Sequence, residues 1–279
     1  MPSMLLAVPN LSEGRDAAVL DALGAAFGSS GARVLDRHAD PDHHRSVFTL
    51  AGEPGEISGA LVAGARAAIE RIDLRAHAGE HPRVGALDVA PVVYLDLDRR
   101  GAAHAEALVT AHRLGAELEL PVYLYGTLAG GRTRAELRRP GALAGILPDY
   151  GPREPHPSAG VVLVAARPPL IAFNVELAAP ATLELARVIA ARIREGGPDG
   201  LPGVRALGLA LAGNGVVQVS TNIEDHHAVS AGDVVAAVRR HAPVAGAELV
   251  GLAPAAAFAG FPEDVALRGL KTLEDVLES

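Results

Sequence analysis

The 279-residue chain passes twice through one order of segments: a short apolar run, an amphipathic stretch, two apolar runs, a second amphipathic stretch and a closing apolar run. Apolar residues that alternate or run together over four to eight positions read as strands, and apolar residues recurring every three to four positions read as helices. In the first pass strands are expected at 5–8, 32–36, 45–50 and 89–97, with helices at 16–27 and 56–72. Val19, Leu20, Leu23 and Phe27 mark the inward stripe of the first helix, and Ile57, Leu61, Val62, Ala65 and Ile69 that of the second. Asn10 or Ser12 is placed to cap the first helix, whose leading N–H groups need acceptors. A helix at 104–118 and a strand at 122–125 follow. Residues 126–157, rich in Gly, Pro and Arg, read as loop with a short helix near 134–138, before a strand-like run at 161–165.

The second pass places strands at 170–177, 204–211, 216–222 and 247–252, with helices at 181–195 and 231–241, the latter capped by Ser230. Asn214-Gly215 is the strongest two-residue hairpin signal available. The tail at 262–279 reads as a short surface helix. The doubled β-α-β-β-α-β order predicts an α+β fold of two ferredoxin-like subdomains with antiparallel sheets, at 1–168 and 169–279.

Aromatic residues make up 3% of the chain and Trp is absent, so with 49% hydrophobic residues the cores must be built from Ala, Val and Leu. The 25 basic against 33 acidic residues leave a net charge of −8, which argues against a general nucleic-acid binder, whose phosphate contacts need a basic face. The lack of Cys excludes disulfides and thiol catalysis. The N-terminus has no charged leader, and no uncharged apolar stretch reaches the ~20 residues of a membrane helix. A soluble, cytoplasmic protein is expected.

Three polar segments could carry chemistry. His77-Ala78-Gly79-Glu80-His81-Pro82-Arg83-Val84-Gly85-Ala86-Leu87-Asp88 is punctuated by Gly and Pro and runs into an apolar strand, the kind of strand-end loop where catalytic groups sit. Histidine exchanges its proton near neutrality. Arg83 could take a carboxylate with two parallel hydrogen bonds, and Glu80 or Asp88 could orient His81. The bland alternative is a solvated surface loop. His77 and His81 have the i,i+4 spacing of helical zinc ligands, but Gly79 and Pro82 oppose a continuous helix. Asp40-Pro41-Asp42-His43-His44-Arg45 could hold a divalent ion or simply form an Asx-type turn. No metal is expected. The third segment runs through Gly151, Pro152, Arg153, Glu154, Pro155, His156, Pro157, Ser158, Ala159 and Gly160. It reads as a rigid open loop, either a linker or a ligand-binding edge. His226-His227 reads as a solvated turn.

Six blocks of this sequence resemble a known family in order. Val8-Pro9-Asn10-Leu11-Ser12-Glu13-Gly14 is similar to its V-P-N-F-S-E-G, and Gly79-Glu80-His81-Pro82-Arg83 with Gly85-Ala86 and Asp88-Val89 to its G-E-H-P-R-x-G-A-x-D-V. Pro121-Val122-Tyr123-Leu124-Tyr125, Leu170-Ile171-Ala172-Phe173-Asn174, Gln218-Val219-Ser220-Thr221-Asn222 and Val250-Gly251-Leu252 supply the others. The family is the formiminotransferase domain of formiminotransferase-cyclodeaminase. Ordered blocks over about residues 5–255 are far more specific than one short motif.

The resemblance implies two ferredoxin-like subdomains and a glutamate formiminotransferase that moves a formimino group between N-formimino-glutamate and tetrahydrofolate as co-substrate, without a metal. It implies His81 as general acid/base and residues 151–160 along the bound folate. Asn10, Arg45, Glu80, Arg83 and Asp88 are candidates to bind or orient the other substrate. A homodimer is expected. The cyclodeaminase region of the family is missing, which implies a separate cyclodeaminase as partner. Three departures stand out: His44 replaces the usual Asn, Leu11 replaces Phe, and Ala76 and Ala78 flank His77 where Lys is common. Two other readings remain: a formyl-glutamate or formyl-folate transferase (a folate salvage enzyme), and a non-catalytic folate-binding module.

Overall fold

The structure, a computed structural model, describes residues 4–41, 43–77, 83–139, 141–211 and 215–278. The chain divides into two compact units, Met1–Arg167 and Pro168–Ser279. Both mix helices with a sheet.

In the first unit β1 (Leu5–Ala7) and β2 (Asn10–Leu11) lie between β4 (Arg45–Gly52) and β5 (Leu87–Val93), pairing antiparallel with both. Residues 10–13 therefore do not open a helix. Pro9 interrupts the ladder and β2 resumes it, while helix α1 (Ala17–Gly28) is capped by Asp16, whose side chain accepts from the N–H groups of Ala18 and Val19. The edge strand β3 (Arg33–Asp40) pairs antiparallel with β4. Helix α2 (Glu56–Arg71) starts at Gly55 without a cap of its own. Its first N–H groups are satisfied by Glu106 of α3 (Arg100–Leu118), which accepts from Gly55 at 2.8 Å and Ser58 at 2.6 Å. A buried carboxylate at a helix N-terminus is favoured by the helix dipole as well as by these bonds.

Beyond β5 the sheet changes character. The α3 crossover leads to β6 (Val122–Leu124), and a long segment containing α4 (Arg134–Leu137) leads to β7 (Val162–Arg167), which inserts between β5 and β6 and runs parallel to both. The expectation of purely antiparallel sheets is corrected here. A helical crossover returns the chain to the same end of the sheet, and the next strand then runs parallel. The expected strand at 89–97 also ends earlier, at Val93.

Leu20, Leu23 and Phe27 of α1, Leu61 and Ala65 of α2, and Ala107 and Leu114 of α3 pack on Phe48, Leu50, Val92 and Val164. The scarcity of aromatics is met by small residues at helix contacts: a Cβ on Gly64 would lie 2.0 Å from the Phe27 ring. The opposite sheet face is covered by the segment between β6 and β7, with Leu137 packing on Val89, Tyr123, Tyr125, Val161, Leu163 and Ala165.

In the second unit β8 (Ile171–Leu177), α5 (Leu183–Ile193), β9 (Val204–Ala210), β10 (Val217–Ile223), α6 (Ala231–Arg239) and β11 (Val244–Val250) repeat the order of the first pass. The sheet reads β12-β11-β8-β10-β9, where β12 (Leu267–Arg268) is a short edge strand parallel to β11. This sheet too is mixed, because the tail doubles back along β11 before α7 (Leu273–Leu277). Gly215 N–H bonds Leu211 O at 2.9 Å to close the β9–β10 hairpin; Asn214 lies outside the described residues. Ser230 and Asp233 form a reciprocal capping box at α6. Among the described residues no helix is long and apolar enough to cross a membrane.

Candidate active site

The site is built where β5 begins. Asn10 lies opposite Val89 and Leu11 opposite Leu87, so Asp88 is a surplus residue in the ladder. Such a bulge re-aims a side chain. Leu87 and Ala90 stay in the helix-side core and Val89 in the core of the other face. Asp88, 4% exposed, is left to serve its own loop. Its Oδ1 accepts from Val84 N–H at 2.7 Å, and its Oδ2 accepts from the Arg138 guanidinium.

The same strip is pinned from two other sides. Ser12 Oγ donates to Gly85 O at 2.8 Å, and Ser12 N–H to Ala86 O at 2.9 Å. Residues 158–161 form the other wall: Ala86 N–H donates to Ala159 O and Val161 N–H to Val84 O, both at 2.9 Å. A Cβ on Gly85 would lie 1.9 Å from Val161 O, and one on Gly160, which has φ +70°, would lie 2.3 Å from Val84 O, so both positions require glycine. His156 Nδ1 accepts from Ser158 and Ala159 N–H at 3.4 and 3.1 Å and stiffens the turn. Gly151, Pro152, Arg153, Glu154 and Pro155 are exposed. The two loops singled out in the sequence thus share one hydrogen-bonded strip.

Beside it lies a pair of imidazoles. His44 adopts φ +48°, a left-handed conformation that Asn tolerates better than most residues. Its Nδ1 accepts from Gly14 N–H at 3.3 Å, and its ring stacks on His77 with centroids 4.1 Å apart. Arg83 donates to the His77 ring and reaches His43 O at 3.4 Å. A guanidinium can only donate, so His77 accepts. Burial is the main cause holding both imidazoles below their ordinary value. For His44 the charge of Glu13 opposes this, and Arg15 and Arg83 add to it; for His77 Arg83 and His44 add to it. Neither is inclined to carry a proton at neutral pH. His43 folds back on Asp40, whose Oδ1 also accepts His43 N–H at 2.9 Å, an Asx-type turn.

Burial, and next the charge of Arg138, push the Arg45 guanidinium down to about 10, with Asp40 and Asp88 opposing and Arg134 adding. It remains protonated at neutral pH. Arg134 and Arg138 stand four residues apart on and just past α4, on one side of it. Arg134 lies 5.9 Å over the Tyr125 ring. The capping box of Thr133 and Glu136 fixes the start of α4, and Leu137 anchors it.

The structure thus brings Arg45, Asp88 and Arg138 together, with Arg83 joined to the strip through its neighbour Val84. Asn10 faces Val47 and Val89 and donates to Val8 O at 3.2 Å. Glu80 and His81 lie outside the described residues. Sequence reasoning did not find Arg134 and Arg138; the i,i+4 arginines behind a Thr-x-x-Glu cap were the available signal. Among the described residues no group of three or more His, Asp or Glu is arranged to hold a metal ion.

Residues 4–167 match the family model of the formiminotransferase domain, N-terminal subdomain, and residues 172–261 match that of the formiminotransferase domain. The chain belongs to the formiminotransferase family. The glutamate formimidoyltransferase of Streptococcus pyogenes serotype M1 is 37% identical, over 92% of this chain and 91% of that protein. That of Thermoplasma acidophilum is 35% identical over 90% and 88%. The formimidoyltransferase-cyclodeaminase of Rattus norvegicus is 37% identical over 91% of this chain and 51% of its own length, so the chain spans about half the length of that larger relative. The two stretches that match family models fall one in each compact unit.

Proposed function

We propose that the chain is a glutamate formiminotransferase, moving a formimino group between N-formimino-glutamate and tetrahydrofolate. The observation that carries this reading is the 37% identity to a glutamate formimidoyltransferase over 92% of the chain and 91% of that relative. The strand orders β3-β4-β1-β5 and β9-β10-β8-β11 support reading each unit's core as ferredoxin-like.

The reaction is an amidine exchange. The secondary amine at N5 of tetrahydrofolate attacks the formimino carbon, a tetrahedral adduct forms, and the carbon–nitrogen bond to glutamate breaks. The attacking nitrogen gives up a proton and the departing one takes it. His81 carries that proton, a role worth about 10²–10⁴-fold, and joining two substrates on one surface contributes through proximity. Folate lies along residues 151–160, whose turn is hydrogen-bonded to the strip that follows His81. Arg45 and Arg83 bind donor carboxylates, Asn10 orients the donor, and Glu80 or Asp88 steadies His81. The neutral state of His44 and His77 supports a site whose nearby imidazoles do not repel a protonated intermediate. No step needs a metal. The protein acts as a cytoplasmic homodimer.

A spectroscopic assay with tetrahydrofolate and N-formimino-glutamate tests the reading, with N-formyl-glutamate as a second donor. Turnover of the formimino donor is expected, lost by about 10²–10⁴-fold in His81→Ala without a change in melting temperature. Turnover of the formyl donor alone would move the assignment to formyl transfer, and tight folate binding with neither donor used would make the chain a binding module. Near-normal rates in His81→Ala would remove that residue from the mechanism.

A further inference from the structure

Among the described residues each sheet ends in two edge strands. An edge strand offers its outward N–H and C=O groups to any chain able to pair with them. Three of the four edges are guarded. At the β6 edge Val122 N–H donates to Tyr150 O at 2.9 Å, and Val122 O accepts from Asp149 N–H at 2.8 Å. β3 carries Arg33, Asp36, Arg37 and Asp40, with a register shift between Val34 and Asp36. β12 is two residues long, and its Arg268 is ion-paired with Glu176. β9 has none of these devices. Val204–Ala210 contains one charged residue, Arg205, and no proline, and it pairs with β10 without a bulge. Val204 and Ala206 enter the core under the helices, so Leu207 and Leu209 stand on the opposite face of the sheet, where Leu207 is 64% exposed.

The ladder decides which backbone groups of β9 point outward. Leu211 N–H donates to Val216 O at 2.8 Å. By the antiparallel alternation Arg205, Leu207 and Leu209 therefore turn their backbone groups to β10, and Ala206, Gly208 and Ala210 turn theirs away. These outward groups have no hydrogen-bond partner among the described residues. Val204 also faces outward, but its carbonyl accepts from Glu195 N–H at 2.8 Å. The open ladder is thus 206–210, and its middle is Gly208. We propose that β9 is an interface between two copies of this chain, paired antiparallel about a two-fold axis at Gly208, so that their two sheets continue as one. The edge is complementary to itself in that register. Ala206 of one copy meets Ala210 of the other, and Leu207 meets Leu209. Arg205 falls outside the paired stretch, so no like charges stand opposite one another. Each copy offers the other the same free donors and acceptors, as a two-fold contact requires. In a chain of net charge −8 the strand carries no acidic residue, so two copies can approach here without carboxylates facing each other across the seam. The inference goes beyond the formiminotransferase reading and stands or falls without it.

Because the chain has no cysteine, introduced thiols report the register without interference. Leu207→Cys and Leu209→Cys chains are purified separately, then oxidised mildly, each alone and as an equal mixture. The mixture should give a covalent dimer holding one chain of each kind, since directly opposed residues lie within disulfide reach. Each chain alone should give far less, because its own thiols are offset by two places. A second variant, Leu207→Lys/Leu209→Lys, sets like charges opposite in both cross-strand pairs. By sedimentation it should show half the mass of the wild-type assembly at the same concentration, with circular dichroism confirming that it folds. Mixing it with Leu207→Glu/Leu209→Glu chains should restore the mass, since every facing pair then joins opposite charges. Thiol chains that crosslink no better mixed than alone, a folded lysine variant of unchanged mass, or mixed charges that fail to restore the assembly would each overturn the proposal.

Discussion

The two units share an order of elements, but the first continues where the second closes. In the second unit β11 completes the repeat and the tail adds β12 and α7. Its internal polar bonds hold the frame: Thr221 Oγ1 donates to Phe173 O at 2.6 Å, and Thr182 and Ser230 cap their helices. In the first unit the chain goes on past β5 through α3, β6, α4 and β7. That continuation brings Arg134, Arg138 and the loop at 151–160 against the strip at 83–88. The repeat gives a rigid sheet, and the appended segment sets charged groups against its ends.

The comparison can be broken most directly at the two cores. Phe27 and Phe173 are both fully buried, and each meets other rings: Phe48 at 5.1 Å for Phe27, and Phe258 and Phe261 at 6.2 and 6.1 Å for Phe173. Phe27→Ala and Phe173→Ala should each cost about 3–5 kcal/mol in denaturant unfolding; a much smaller loss in one would mean the two frames are not equivalent. Next come two crowded glycines. Gly85→Ala and Gly208→Ala force a Cβ to within 1.9 Å of Val161 O and 2.3 Å of Arg187 N, each costing about 1–3 kcal/mol. Turnover per folded molecule should collapse in Gly85→Ala and survive in Gly208→Ala.

The capping boxes sharpen the contrast at about 1 kcal/mol. Ser230→Ala should lower global stability by that amount, whereas Thr133→Ala should loosen the four-residue α4 locally and lower global stability by less. The smallest effect is that of pH. His44 and His77 are held neutral in the folded chain and titrate near 6.5 when unfolded. The unfolded state therefore takes up more protons as pH falls below about 6.5, and stability declines there. Replacing both with Asn should flatten the acid side of a melting-temperature profile; an unchanged profile would discount their burial.

Much of this was readable in the residues. The stripes Leu20, Leu23, Phe27 and Leu61, Ala65 located their helices, because burial of one helix face leaves its period in the sequence. The short strand β2 was not readable. Pro9 breaks the run, and Asn10 and Ser12 are equally good caps, so only pairing with β4 and β5 decides. The parallel insertion of β7 was hidden for a similar reason, since strand order is a long-range choice. His81 could be named as a candidate proton carrier by residue type. The Arg138–Asp88 pair was not legible, because a solvated loop arginine and one tethered to a buried Asp look alike in one dimension.

The extra residue at Asp88 bears on how genes of this family could exchange pieces. Side chains in a strand alternate with period two, so deleting one residue between 83 and 88 would slide the ladder by one place. Leu87 would then be driven out of its core and the arginine tether lost in the same step. Chimeras joined within that stretch should fail on a single-codon mismatch. Junctions placed within residues 141–148, which form no strand, should accept parents of unequal length.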